Sequence, residues 1–175
     1  MRVEWARDEI VKIILAALMP PNRLACEVSL ATGWRIGDVL SLTTDSIRRA
    51  ATNQGRISIQ EAKTGKRSRR TLPKSLIDRL LAQAGTVYVF PGRLNGRCPR
   101  TRQAVYKDIR RVAAALRLGR HLGCHSMRKV YAVEQYRQAG GGKRGLDRVQ
   151  SLLNHSSEAI TMIYALADEL RTSVR

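Results

Sequence analysis

The sequence predicts a mainly helical domain carrying a small antiparallel β-sheet, an α+β fold. Apolar residues recur at helical spacing over most of the chain, and the period switches once to alternation, around Ile57 and Ile59. The alternating stretch is split by a Thr64-Gly65-Lys66 turn, as a hairpin requires. At 175 residues, 43% of them hydrophobic, the chain is long enough for one domain with its own core and short for two.

The elements follow in order. In ARDEIVKIILAALMPP, Ile10, Ile13, Ile14 and Leu18 share one helical face, and Pro20 and Pro21 are expected to close that helix. A second helix over NRLACEVSLATG should stop at Gly33, which suits a left-handed cap. A short helix through Leu42 follows, so Arg35 falls at a helix-to-helix junction. GRISIQEAKTGKRSRRTLP reads as the hairpin, with Lys63 close to its turn. Beyond it come a helix near residues 74–84, a short strand TVYVF ended by Pro91-Gly92, and a loop. From Thr101 to Leu118 a helix turns Val105, Ile109, Val112, Ala113 and Leu116 inward and Arg102, Lys107, Arg110 and Arg111 outward. CHSMRKVYAVEQYRQAG is a helix stopped by Gly140-Gly141-Gly142, LDRVQSLLN is another, and Ser156 and Ser157 cap a last helix through Tyr164.

Charge narrows the function. Lys and Arg number 32 against 14 Asp and Glu, a formal charge of +18, which opposes compaction unless an anionic partner absorbs the field. Nucleic acid is the expected partner. No apolar run reaches the ~18 residues a membrane span needs, and MRVEWARDEI lacks the pattern of a secretory signal, so a cytoplasmic protein is expected. Cys26, Cys98 and Cys124 are far apart and form no CxxC, so neither a zinc site nor a disulfide framework is implied.

The stretches that carry chemistry are LATGWRIGDVLSLTTDSI, EAKTGKRSRRTLP, HSMRKVYA and LLNHSSEAITMIYA. In that order they resemble the characteristic boxes of the tyrosine recombinases, the phage integrase family: an arginine after a Thr-Gly turn, a hairpin lysine, His-x-x-Arg, and a histidine nine residues ahead of a tyrosine. The resemblance runs from about residue 5 to residue 168. It implies the tyrosine recombinase catalytic-domain fold over residues 1–175, as a single domain without the family's N-terminal core-binding domain. It implies catalytic roles for Arg35, Lys63, His125, Arg128, His155 and Tyr164. The sequence departs from the family's habit at Asp38, where glutamate is common, at Asn154, where glycine is, and at Lys129 and Val130.

Attack on a phosphodiester builds negative charge on non-bridging oxygens, and planar guanidinium groups meet such oxygens with paired hydrogen bonds. Arg35 and Arg128 are the expected clamp. His125, at i relative to Arg128 at i+3, shares its helical face and would assist proton transfer. His155 would donate to the phosphate. Tyr164 would be the nucleophile, Lys63 the acid that protonates the departing 5′-oxygen with Lys66 in reserve, and Asp38 a brace for Arg35. Lys66, Arg67, Arg69, Arg70, Arg102, Lys107, Arg110 and Arg111 are expected on the DNA backbone. His121 fits no box.

The resemblance therefore implies a metal-independent, cofactor-free site-specific recombinase acting on double-stranded DNA as a homo-tetramer on two sites, with accessory DNA-bending proteins as further partners. Two other functions use the same residues or surface: a non-cleaving DNA-binding regulator, and a relaxing enzyme like topoisomerase IB.

Overall fold

In the computed structural model, which describes residues 8–93, 96–118 and 122–153, the chain is mostly helical. It runs α1 (Asp8–Ala17), α2 (Pro20–Thr32), α3 (Ile36–Leu40), α4 (Thr44–Thr52), β1 (Arg56–Gln60), β2 (Arg67–Thr71), α5 (Lys74–Gln83), α6 (Arg102–Ala115), α7 (Cys124–Gln138) and α8 (Gly142–Leu152). The expected α+β class holds.

Pro20 and Pro21 open α2 instead of closing α1. Proline lacks the N–H that a first helical turn would leave unsatisfied anyway, and its fixed φ is already helical. α2 is the hub of the domain, packing against α1, α3, α5, α6 and α7. Around it Ile14, Trp34, Leu40, Ile47, Leu80, Phe90, Ile109 and Met127 are fully buried. A second, smaller cluster of Tyr131, Ala132, Val149 and Leu153 joins α7 to α8. β1 and β2 pair antiparallel with Ser58 opposite Arg69 and Ile59 opposite Ser68. That register turns Ile57 and Ser68 toward the core and leaves Arg56, Ser58, Gln60, Arg67, Arg69 and Thr71 exposed.

Four further sequence expectations change. TVYVF is not a strand: among the described residues it makes one isolated bridge, Tyr88 to Thr43, and no ladder extends from it. α3 ends at Leu40, and a helix unread in the sequence, α4, follows it. Thr43 caps α4 by accepting from the Ser46 amide at 3.2 Å. Its buried apolar side chains are only Ile47 and Ala50, too few to show a period. α8 begins at Gly142, ahead of the expected LDRVQSLLN, because the Gly142 amide donates to the Tyr136 hydroxyl at 3.0 Å and anchors the glycine run. Leu116, expected in the core, caps α6 and is exposed.

The C-terminus of α2 positions the catalytic candidates. Gly33 closes it with φ 72°, its amide bonded to the Ser29 carbonyl at 2.8 Å. A Cβ at Gly33 would stand 2.4 Å from the Tyr131 ring of α7, so glycine is required both for the turn and for the approach of the two helices. Gly33→Ala should therefore cost about 2–4 kcal/mol, from the left-handed conformation and the overpacked ring together. In a thermal melt this is a fall in Tm of roughly 5–15 °C; an unchanged Tm would refute the close packing.

Candidate active site

The left-handed turn at Gly33 delivers Arg35. Trp34 between them is 1% exposed and held at three points: Ser29 Oγ donates to its carbonyl at 2.8 Å, its amide donates to Thr32 Oγ1 at 3.2 Å, and its indole Nε1 donates to Ser68 Oγ of β2 at 2.8 Å. With its neighbour fixed to both α2 and the hairpin, the backbone of Arg35 has little freedom. The Arg35 side chain, 11% exposed, donates from Nη1 to Glu61 Oε2 at 2.7 Å.

Arg128 arrives from α7. It is 1% exposed, and its Nη1 donates to the Gly33 carbonyl, two residues before Arg35. Its Nη2 makes a longer contact, 3.5 Å, with the Leu153 carbonyl just past α8. A buried guanidinium is costly unless its donors are met. Here backbone carbonyls meet Nη1 and Nη2, which holds Arg128 against the same turn that presents Arg35.

Asp38 of α3 stands beside both arginines, but its hydrogen bond goes elsewhere: Oδ1 accepts from the Ala62 amide at 3.0 Å, and Oδ2 is buried with no hydrogen-bond partner. Burial pushes its carboxyl pKa above the ordinary 3.8, and the charge of Glu61 adds to this; the Ala62 amide, Arg35 and Arg128 oppose it. Asp38 thus anchors the hairpin turn as well as facing Arg35. The direct brace expected of it is supplied by Glu61, which sequence reasoning missed. Glu61 is the only acidic residue between Asp45 and Asp78, a signal that was available.

These two carboxylates fix the turn that carries Lys63. Glu61 takes Arg35 and also the Thr64 hydroxyl, at 3.1 Å; Asp38 takes the amide of Ala62; and Lys63 comes next, exposed. The structure thus brings together Arg35, Arg128, Asp38 and the Lys63 turn. His125 lies one turn ahead of Arg128 on α7 and is exposed. His155 and Tyr164 lie outside the described residues.

Of the basic residues expected on DNA, Lys66, Arg67, Arg69, Arg102, Lys107 and Arg110 are exposed. Arg70 and Arg111 are engaged within the chain. Arg70 donates from Nε to the Thr32 carbonyl at 2.8 Å and from Nη2 to the Leu152 carbonyl, tying β2 to the ends of α2 and α8. Arg111 donates to Asp108 Oδ1, at 2.7 Å from Nη2, and to the Ala17 carbonyl. Asp108 also receives Asn22 Nδ2 at 2.7 Å and the Met19 amide at 2.9 Å. Burial alone would raise the Asp108 carboxyl, but these donors hold it below the ordinary value. Cys26 and Cys124 are buried thiols, and burial pushes Cys124 up to about 11, so it is unreactive. Among the described residues no group of His, Cys, Asp and Glu is arranged to hold a metal ion, and no helix is long and apolar enough to cross a membrane.

Known proteins resemble this chain in sequence and in fold. The model of the phage integrase family matches residues 5–171. A Bacillus subtilis (strain 168) protein named "Probable integrase/recombinase YoeC" is 29% identical over 139 residues, 77% of this chain and 71% of that protein. Among solved structures, the lambda integrase catalytic core superposes with a TM-score of 0.69 at 22% identity, covering 89% of this chain and 93% of the core. A lambda integrase dimer bound to a COC′ core site gives 0.74 at 19% identity, over 93% of this chain and 48% of that one. XerA recombinase gives 0.66 at 19% identity, over all of this chain and 66% of that one. The fold is therefore that of the lambda integrase catalytic core, and the chain spans about half to two-thirds of the longer structures it matches.

The two buried aspartates should respond to pH with opposite signs. Asp38, whose folded pKa is raised, adds stability below the ordinary carboxylate range that is lost as pH rises through its folded value. Asp108, whose folded pKa is lowered, adds stability above that range that is lost as pH falls through its folded value. Urea melts from about pH 2.5 to 7 should show Asp38→Asn gaining on the parent chain as pH rises, and Asp108→Asn losing ground. Parallel curves for both variants would contradict the assignment.

Proposed function

This chain belongs to the phage integrase family, and from that premise we propose that it is a site-specific DNA recombinase that cuts and rejoins DNA through a covalent 3′-phosphotyrosine. The observation that carries the proposal is the gathering of Arg35 and Arg128 on either side of the Gly33 turn, with the Lys63 hairpin turn fastened beside them.

The Tyr164 oxygen attacks phosphorus, forming the P–O(Tyr) bond as the P–O5′ bond breaks. A phenol has a pKa of about 10, so its proton must be taken by a neighbour, the role assigned to His125. Arg35 and Arg128 stabilise charge on the non-bridging oxygens, joined by His155. Lys63 gives its proton to the leaving 5′-oxygen. The phosphotyrosine keeps the energy of the broken bond, so attack by a 5′-hydroxyl of the partner strand reverses the step and completes exchange without a nucleotide cofactor. The cationic side chains carry the charge that a divalent ion would carry elsewhere.

The partner is duplex DNA. A related protein, lambda integrase, has been seen as a dimer on its core site, which supports the same class of substrate here. Exchange requires two cut duplexes, so the working assembly is a homo-tetramer on two sites, acting in the cytoplasm with DNA-bending proteins as accessories. The exposed hairpin residues Lys66, Arg67 and Arg69 and the exposed α6 residues Arg102, Lys107 and Arg110 are the backbone contacts.

Incubation with a nicked suicide duplex should yield a protein–DNA adduct that survives denaturation and is absent in Tyr164→Phe. Arg35→Ala should form it about 100- to 1,000-fold more slowly. A chain that binds the duplex but forms no adduct is a regulator, and one that relaxes supercoils without a second site is a topoisomerase-like enzyme; either result overturns the proposal.

Salt titration separates surface from scaffold. Arg67→Ala and Arg69→Ala should each lower the logarithmic salt slope of duplex binding by about 0.9 and leave Tm unchanged. Arg70→Ala, which frees α8 from β2, should instead lower Tm. A slope loss confined to Arg70 would contradict this division.

A further inference from the structure

We infer that Glu61 is a positioning residue that makes the phosphate clamp and the leaving-group acid one rigid unit. It rests on the function proposed above and deepens it, since none of the roles assigned there falls to this carboxylate.

The geometry is specific. Glu61 directly follows β1 and is 1% exposed, yet a buried carboxylate is costly unless its oxygens are met by donors. A single oxygen, Oε2, accepts both Arg35 Nη1 at 2.7 Å and Thr64 Oγ1 at 3.1 Å. The backbone of Glu61 closes the same turn, accepting from the Gly65 amide at 2.8 Å and donating to the Lys66 carbonyl at 2.9 Å. Arg35, the turn and Lys63 within it are therefore referenced to one carboxylate. Asp38 fixes the next residue, through Ala62 at 3.0 Å, from the α3 side. Lys63 is held through its two preceding residues and through Thr64 after it, while its own side chain reaches out from an exposed turn.

Rate depends on that arrangement. Arg35 meets the non-bridging oxygens and Lys63 meets the 5′-oxygen of the same phosphate, so their separation must be set before DNA arrives. A misplacement near 1 Å can cost about 100-fold. The ion pair also meets the charge of Arg35 in a chain of formal charge +18, where another cation could not do so. A carboxylate that merely blocked Arg35 until DNA displaced it would be expected at an exposed, swinging position, and Glu61 is neither.

The test uses the full chain and two nicked suicide duplexes, one ordinary and one with sulfur replacing the bridging 5′-oxygen, a leaving group that needs little protonation. At saturating DNA, Glu61→Gln should form adduct about 10- to 100-fold more slowly with DNA affinity within about threefold of the parent, and Glu61→Asp should recover part of the rate. On the sulfur duplex the Glu61→Gln defect should shrink at least several-fold, because only the Arg35 share remains. Thr64→Val, at an exposed residue that folding tolerates, should show a smaller defect that vanishes on sulfur. A Glu61→Gln rate equal to or above the parent's would overturn the inference, and a defect of the same size on both duplexes would remove the link to Lys63. Absence of adduct from the parent chain would instead overturn the proposed function itself.

Discussion

One left-handed residue, Gly33, is the constraint on which the site depends. Its φ of 72° ends α2, its lack of a Cβ admits the Tyr131 ring, and its carbonyl receives Arg128. A helix end has carbonyls to spare, and a buried guanidinium needs acceptors, so the Gly33 carbonyl takes one of its donors, Nη1. The two arginines expected to share one phosphate are thereby tied to a backbone segment three residues long, and the distance between them is not left to the surrounding loops.

Electrostatics explains why so basic a chain can bring these cations together. Asp38 and Glu61 sit among Arg35, Arg128 and the lysine turn, and both are buried. Asp38 keeps an oxygen without a hydrogen-bond partner, and its raised carboxyl pKa records the strain of that burial. A second network, Arg100 to Asn22 to Asp108 to Arg111, does the same for α2 and α6 at the far side of the hub. Acidic residues are few in this sequence, and these three are placed inside, where each anchors a cation or a backbone amide. Positive charge is left exposed on the hairpin at Lys66, Arg67 and Arg69 and on α6 at Arg102, Lys107 and Arg110, facing solvent or a polyanion.

Much of this was legible beforehand. Hydrophobic period showed every helix but α4, the alternation about Ile57 and Ile59 showed the hairpin, and Gly33 was readable as a cap because glycine is the usual occupant of that conformation. Arg35, Lys63, His125 and Arg128 were singled out by the boxes they resemble, and the structure gathers Arg35, Arg128 and the Lys63 turn at the end of α2. What was not legible depends on contacts that cross the chain. The preference of Pro20 and Pro21 for opening a helix competes with their tendency to end one, and the core decided it. Val89 and Phe90 looked like strand because burial of consecutive apolar residues resembles a buried strand until a partner strand is found missing. Arg70 looks like Arg67 and Arg69 in the sequence, and only the strand register turns it inward to Thr32 and Leu152. Glu61 was visible as a lone acid in a basic hairpin, but its partner is 26 residues away.

The proposed chemistry turns on Arg35 acting on the charge of the scissile phosphate. Its most direct measurement compares adduct formation on an ordinary duplex and on one whose scissile phosphate carries a neutral methyl group in place of a non-bridging oxygen. If Arg35 neutralises that oxygen, Arg35→Ala loses at least about tenfold less rate on the neutral duplex than on the charged one, a non-additivity of about 1.4 kcal/mol or more. Equal losses on both duplexes would place Arg35 away from the reacting phosphate and contradict the account.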